Sequence, residues 1–245
     1  MNKKFKFPDY DFLGSVYKNT KSKDNAMNIP FLSLITWGQA LHNNHHVNTR
    51  KYSFAKTKKE LSSPDIQMLF APASFENENA GTSGLERLDG ITCGITQLRP
   101  SSKGYVEIKS NNIYESPIIN PKYLDNDFDK ETLINGVKLV RKIYSSKPLS
   151  DFCEEETIPG KQISTDDQII DYARKFGSTV YHPIGTCRMG NDPNSVVDLD
   201  LKVRGIKNLR VIDASIMPEM VSGNTYAATN MIAEKGSDII LNYIN

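Results

Sequence analysis

The chain has 245 residues, a hydrophobic fraction of 38% and a formal net charge of +1. That length allows one large domain or two small ones. Near-neutral charge argues against nucleic acid as the main partner, because a phosphate backbone calls for a strong basic excess.

Residues 1–62 read as a polar, basic segment without an assigned fold. The start, Met1-Asn2-Lys3-Lys4-Phe5-Lys6-Phe7-Pro8, is basic but lacks the apolar stretch of a secretory leader. No apolar run approaches the roughly eighteen residues of a membrane span. The best apolar stretch here is Ile29 to Trp37. His42, His45 and His46 lie close together, but no Cys or carboxylate stands at metal-ligand spacing, so the cluster reads as a polar loop. Cys93, Cys153 and Cys187 are too scattered for a metal site, and an odd number in a chain this long does not suggest a disulfide framework.

Residues 63–178 read as a strand-rich domain with helices. Asp65 to Ala71 is a strand candidate, ended by Pro72. Ile91 to Leu98 alternates as a half-buried strand does. Arg99 to Gly104 has turn chemistry, and Tyr105 to Lys109 is predicted to return beside the preceding strand as a hairpin. Ile118 to Pro121 ends another extended piece. The spacing of Leu133, Val137, Val140 and Tyr144 predicts a helix from Phe128 to Ser145, with Asp127 as N-cap. A second helix is predicted from Thr165 to Phe176, with Ser164 as N-cap, Asp167 at the capping-box position and Gly177 as its stop.

Residues 179–245 hold the candidate chemistry. Leu209 to Asp213 reads as a buried strand of a doubly wound sheet, with Ala214-Ser215 as its exit. A last helix is predicted to start near Asn224 or Thr225 and to bury Ala227, Met231, Ile232, Ile239, Ile240 and Tyr243. Two turns stand out: Tyr181-His182-Pro183-Ile184-Gly185-Thr186-Cys187-Arg188-Met189-Gly190, and Ser222-Gly223-Asn224. Histidine is the side chain that titrates nearest neutrality, so His182 is the default general base. An amide such as Asn224 can orient a substrate oxygen without adding charge. Taken alone, His182 also fits a structural histidine, and Asn224 an N-cap. Arg188 and Asp198 suggest a buried ion pair, and Cys187 a small buried side chain. No G-x-S-x-G elbow of a serine hydrolase occurs.

Three strings carry a resemblance. They are His182-Pro183-x-Gly185-Thr186-Cys187-Arg188-Met189-Gly190, Leu209-Arg210-Val211-Ile212-Asp213-Ala214-Ser215 and Met231-Ile232-Ala233-Glu234-Lys235. In this order they resemble the C-terminal part of the GMC (glucose–methanol–choline) oxidoreductases, with a flavour of the insect glucose dehydrogenase-like branch. The resemblance extends weakly back to Pro64. It implies an antiparallel-sheet substrate domain over residues 63–178, and over 179–245 the C-terminal portion of an FAD-binding doubly wound domain: an α+β chain with an α/β part. It implies FAD as cofactor and an alcohol or sugar as substrate, with hydride passing to the flavin and the proton to His182. Asn224 would face the substrate oxygen, as in the choline-type members. Asp213, Ala214, Asn224, Thr225 and Tyr226 would lie against FAD, with a helix start aimed at the pole where reduced flavin gathers negative charge. Tyr226 and Ala228 stand where relatives carry a small amide and a proline. Members of the family are often secreted.

The family's dinucleotide turn needs G-x-G-x-x-G. No two glycines in this chain lie two positions apart. The N-terminal βαβ unit is therefore not in this sequence. The expectation is the C-terminal piece of a longer flavoenzyme, associating with a separate FAD-binding half, or else a truncated remnant that does not hold FAD alone.

Overall fold

The computed structural model describes residues 2–5, 54–75 and 89–244. The apolar stretch from Ile29 and the His42–His46 cluster lie outside them. The described residues pack as two units: residues 1–97 with 126–178, and residues 98–125 with 179–245.

The first unit is built on a five-stranded sheet. Its strands are β1 (Asn2–Phe5), β2 (Phe54–Ala55), β3 (Ile66–Ala71), β4 (Gly90–Gln97) and β7 (Cys153–Ile158), in the order β2-β3-β4-β1-β7. Every neighbouring pair is antiparallel. The predicted strands at 65–71 and 91–98 are β3 and β4, in register from Ile66↔Gln97 to Ala71↔Thr92. Asn2–Phe5, from the unassigned segment, sits between β4 and β7.

Helix α1 (Asp127–Tyr144) covers this sheet. Its buried stripe runs Asp129, Thr132, Gly136, Val140, Tyr144, at the three- and four-residue steps of one helix face. Leu133 and Val137 are only half-buried. The N-cap is Asn126, not Asp127: its Oδ1 accepts from the Asp129 amide at 2.9 Å. Asp127 stands one position inside, where its charge suits the positive end of the helix. Cys93, Val140 and Tyr144 form the buried core, flanked by Met68, Phe70, Ile91 and Ile95. Burial pushes the Cys93 thiol up to about 12, so it stays protonated at neutral pH. None of the three cysteines is in a disulfide.

Gly136 lets α1 approach β4. A Cβ there would lie 2.8 Å from Ile95 Cγ2. The methyl belongs to a β-branched residue held in a strand, so it yields little. Gly136→Ala gains about 1 kcal/mol of helix propensity but overpacks the contact by about 1–3 kcal/mol. A net loss of about 1 kcal/mol is expected in urea unfolding; a more stable variant would show that the helix has room to lift.

Helix α2 (Asp166–Phe176) has a full capping box, shifted one residue from the prediction. Thr165, not Ser164, is the N-cap. Gln168, not Asp167, returns the bond, accepting from the Thr165 amide at 3.0 Å. Amide oxygen and longer reach make Gln168 the better partner. Gly177 ends the helix, but with φ −66° and ψ 151° rather than in the left-handed region.

Arg141 joins α1 to β7. Its Nη2 donates to Glu156 Oε1 at 2.8 Å and to the Ile163 carbonyl at 2.7 Å, and its Nε donates to Glu156 Oε2 at 3.1 Å. The Glu156 side chain is 6% exposed and that of Arg141 24%.

In the second unit, β5 (Tyr105–Glu107) pairs antiparallel with β6 (Ile118–Asn120). The predicted hairpin partner of Tyr105–Lys109 was the preceding strand, but β4 pairs with β3 and β1 instead. Both edges of β4 are thereby occupied, and residues 98–125 belong to the second unit. Helix α3 (Tyr226–Ile244) closes the chain. Ile232 and Gly236 are buried, Ile239 and Ile240 half-buried, and Ala227 and Met231 exposed. Gly236 fits directly against Ile212, which a Cβ would overlap. The core gathers Val197, Leu201, Ile216, Met217 and Ile232.

Leu209–Asp213 does not form the predicted strand. Only a single antiparallel bridge, Lys202↔Arg210, touches it, and Leu209 is exposed. A doubly wound strand is held by parallel neighbours on both sides, and no described residue pairs with it in that way. Left-handed turns at Gly205 and Asn208 break the extended path before it.

Candidate active site

His182 stands on a loop whose backbone is fixed at both ends. Tyr181 before it has φ 60°, and Gly185 after it has φ 84°. A side chain at Gly185 would be strained by that backbone and would meet the Met217 carbonyl at 3.4 Å. Beyond the turn, the Cys187 amide donates to the Ser215 carbonyl at 3.0 Å and the Met189 amide to that of Ile216 at 2.9 Å. These bonds tie the His182 loop to the 3₁₀ turn Ala214–Ile216.

Asp213 caps that turn, its Oδ1 accepting from the Ser215 amide at 2.8 Å. Asp213 is exposed, and Ala214 is half-buried within the core flank. Cys187 is half-buried.

Arg188 pairs with Asp192, not with Asp198. Two parallel bonds of 2.8 Å make the fork. The Arg188 guanidinium holds the Asp192 carboxyl well below the usual carboxylate range. Asp198 instead accepts from the amides of Asp200 and Lys202 at 2.9 Å each. Four residues of separation bring Asp192 back to the guanidinium within one turn, while Asp198 is occupied in closing its own.

The start of α3 comes to the same place. Thr225 is buried, and its carbonyl accepts from the Thr229 amide at 2.9 Å, the first bond of the helix. Its hydroxyl Oγ1 lies 3.3 Å from His182 Nδ1. Asn224, next in the chain, is exposed, as is Tyr226, whose ring is 79% accessible. Gly223, with φ 135°, makes the approach turn. Arg99 Nη1 steadies that turn from the β5 side of the chain, donating to Ser222 Oγ at 2.6 Å.

The structure thus brings His182 against Thr225, with Asn224 beside them, and ties Asp213 and Ala214 to the same loop. Sequence reasoning missed one contact and one participant. The direct contact of Thr225 with His182 spans 43 positions, and no periodicity signals it. Arg99 was read only as part of a turn. Two open polar grooves of about 560 and 640 Å³ occur on the sheet unit, and none of the candidate residues lines them. Among the described residues no group of three metal ligands occurs, and no helix is long and apolar enough to cross a membrane.

A family model described as GMC oxidoreductase matches residues 100–233. An alcohol dehydrogenase [acceptor] of Pseudomonas putida is 40% identical over 193 residues, covering 78% of this chain and 34% of that protein. An oxygen-dependent choline dehydrogenase of Escherichia coli O157:H7 is 35% identical over 187 residues, covering 76% of this chain and 33% of that one. The chain spans about a third of the length of these relatives. Among solved structures, pyridoxine 4-oxidase from Mesorbium loti superposes with a TM-score of 0.67 at 28% identity, over 76% of this chain and 36% of that one. Formate oxidase superposes with a TM-score of 0.66 at 25% identity, over 81% and 34%. The α+β architecture with antiparallel sheets is the one these oxidoreductases share with it. With its model matched over more than half of the sequence, this chain belongs to the GMC oxidoreductase family.

Proposed function

We propose that this chain provides the substrate side and the proton acceptor of an FAD-dependent oxidoreductase acting on the CH–OH group of an alcohol or sugar. The observation that carries the reading is the meeting of the His182 loop with the start of α3, Nδ1 to Thr225 Oγ1, within the family's matched region. The names of the relatives, an alcohol dehydrogenase and a choline dehydrogenase, support the substrate class.

The residues fit one edge of a flavin. Tyr226 and Ala227 in the first turn of α3 are exposed, as is Asn224 before it, so the free N–H groups of the helix start are open to a partially negative ring. Ala214 offers backbone on the tied turn, and Asp213 keeps its side chain engaged with Ser215. Asp213, Ala214, Asn224, Thr225 and Tyr226 are the residues that would lie against FAD. When bound, FAD supplies the acceptor for hydride. The chain's own residues do the rest. His182 takes the hydroxyl proton, and Asn224 holds the oxygen through its amide. The turn tied through Cys187 and Met189 keeps the His182 loop in place.

No glycine pair in the 245 residues suits the pyrophosphate turn. We therefore include in the proposal an association with a separate FAD-binding half. Exposed apolar side chains of the second unit support it, among them Ile108, Ile113, Tyr114 and Ile119. The second reading, a remnant without FAD, is favoured by the same lack of a glycine turn.

One experiment separates them. The chain is mixed with a flavin-binding half taken from a full-length relative, and the flavin colour is followed anaerobically after an alcohol is added. Bleaching supports the enzyme; a colourless complex supports the remnant. Asn224→Ala in that complex is expected to slow bleaching by about tenfold, the scale of one lost orienting hydrogen bond to a charged group. It should slow it less than loss of His182, because an amide cannot take the proton. A slower Asn224 variant would reverse the two roles.

A further inference from the structure

The imidazole of His182 has two nitrogens, and the structure distinguishes them. Nδ1 faces Thr225 Oγ1 at 3.3 Å. Thr225 is itself held. It is 8% exposed, and its carbonyl accepts from both the Thr229 amide and Thr229 Oγ1 at 2.9 Å. One and two turns on, Ala228 and Ile232 pack into the core. On the other side, the loop of His182 is pinned through Cys187 and Met189. Both partners of the contact are thus fixed by elements far apart in sequence.

We propose that Thr225 is a positioning residue whose hydroxyl oxygen accepts from Nδ1–H of His182, fixing the tautomer in which Nε2 carries the lone pair. This rests on the reading of His182 as proton acceptor. A neutral imidazole carries one proton, and the nitrogen without it is the base. A hydroxyl can donate or accept, so a threonine at this place is compatible with either tautomer. Only acceptance by Oγ1 leaves Nε2 able to act. The step then balances: the alcohol O–H bond breaks, its proton bonds to Nε2, and the ring becomes a cation bearing N–H at both positions. Thr225 Oγ1 remains the acceptor throughout. Its bond strengthens as the donor becomes charged, which favours the state after transfer. Valine has the shape of threonine without the oxygen; serine keeps the oxygen.

The test is a tautomer measurement by NMR on the full chain with ¹⁵N-labelled histidine at alkaline pH. The two ring nitrogens give distinct shifts and couplings in the two tautomers. Wild type is expected to show His182 with the proton on Nδ1. T225V is expected to move toward the Nε2–H form that free histidine favours in water, and T225S to keep the wild-type pattern. Wild-type protein with its proton on Nε2, or a T225V pattern unchanged from wild type, overturns the proposal. Should T225V fail to fold, the wild-type and T225S spectra decide alone. In the complex with a flavin-binding half, T225V is expected to lower kcat about five- to tenfold with KM little changed, and T225S to restore it. Failure of the functional reading is distinguishable: flavin reduction would then be indifferent to His182→Ala while the tautomer stayed as described.

Discussion

His182→Ala, in a complex that holds FAD, is expected to slow flavin reduction by about 10²–10⁴-fold, the range a positioned general base supplies. The loss should fall on the reductive step, measured by stopped-flow mixing with an alcohol in the absence of oxygen. Flavin retention should change little, because the His182 loop is held by its backbone bonds at Cys187 and Met189 rather than by the imidazole. A loss well beyond about tenfold separates the base from its positioning contact, since loss of the Thr225 contact alone is expected to cost about five- to tenfold. An unchanged reduction rate would remove His182 from the chemistry and leave it as a packing residue against α3.

The second large effect concerns the sheet unit. Glu156→Ala leaves the Arg141 guanidinium partly buried with only carbonyl partners. Removing one member of a buried pair costs about 3–5 kcal/mol. Arg141 retains some exposure, so about 3 kcal/mol is expected here, read as a lower midpoint in urea followed by circular dichroism. A control sets the scale. Asp151→Ala breaks the pair with Lys147, 3.6 Å apart, whose side chains are 53% and 82% exposed. That change should cost about 0–1 kcal/mol. Equal losses in the two variants would show that the fork between α1 and β7 contributes no more than a surface pair.

The parts of the fold set by local pattern were legible in the sequence. β3 followed from a short apolar run ended by Pro72, β4 from alternation, α1 from helical spacing and α2 from its cap and stop residues. Their caps were misplaced by one residue each, because Asn126 and Asp127, or Ser164 and Thr165, are chemically equivalent as caps until the backbone direction is known. Pairing was not legible. The strand at Tyr105–Glu107 was legible, but nothing in the sequence said that it would meet Ile118–Asn120 rather than β4. Leu209–Asp213 has the composition of a buried strand, yet a strand forms only where neighbours offer hydrogen bonds. At the site, residue types and family motifs singled out His182 and Asn224. The contact of His182 with Thr225 depends on two distant turns converging, and composition has no bearing on that. Arg188 had acids both four and ten positions away; the nearer one closes the fork.

The second unit is not one run of chain. Residues 98–125 belong with 179–245, so the polypeptide passes between units at three places. A modular transplant of residues 179–245 alone would carry His182, Thr225 and Asn224 into a new host but leave Arg99 behind, and with it the bond that holds Ser222. Residues 179–245 are therefore not a portable cassette. Chimeras that exchange substrate preference within this family should take residues 98–125 and 179–245 together, and a swap of the tail alone should yield a loosened Ser222–Asn224 turn that a matching exchange of residues 98–125 repairs.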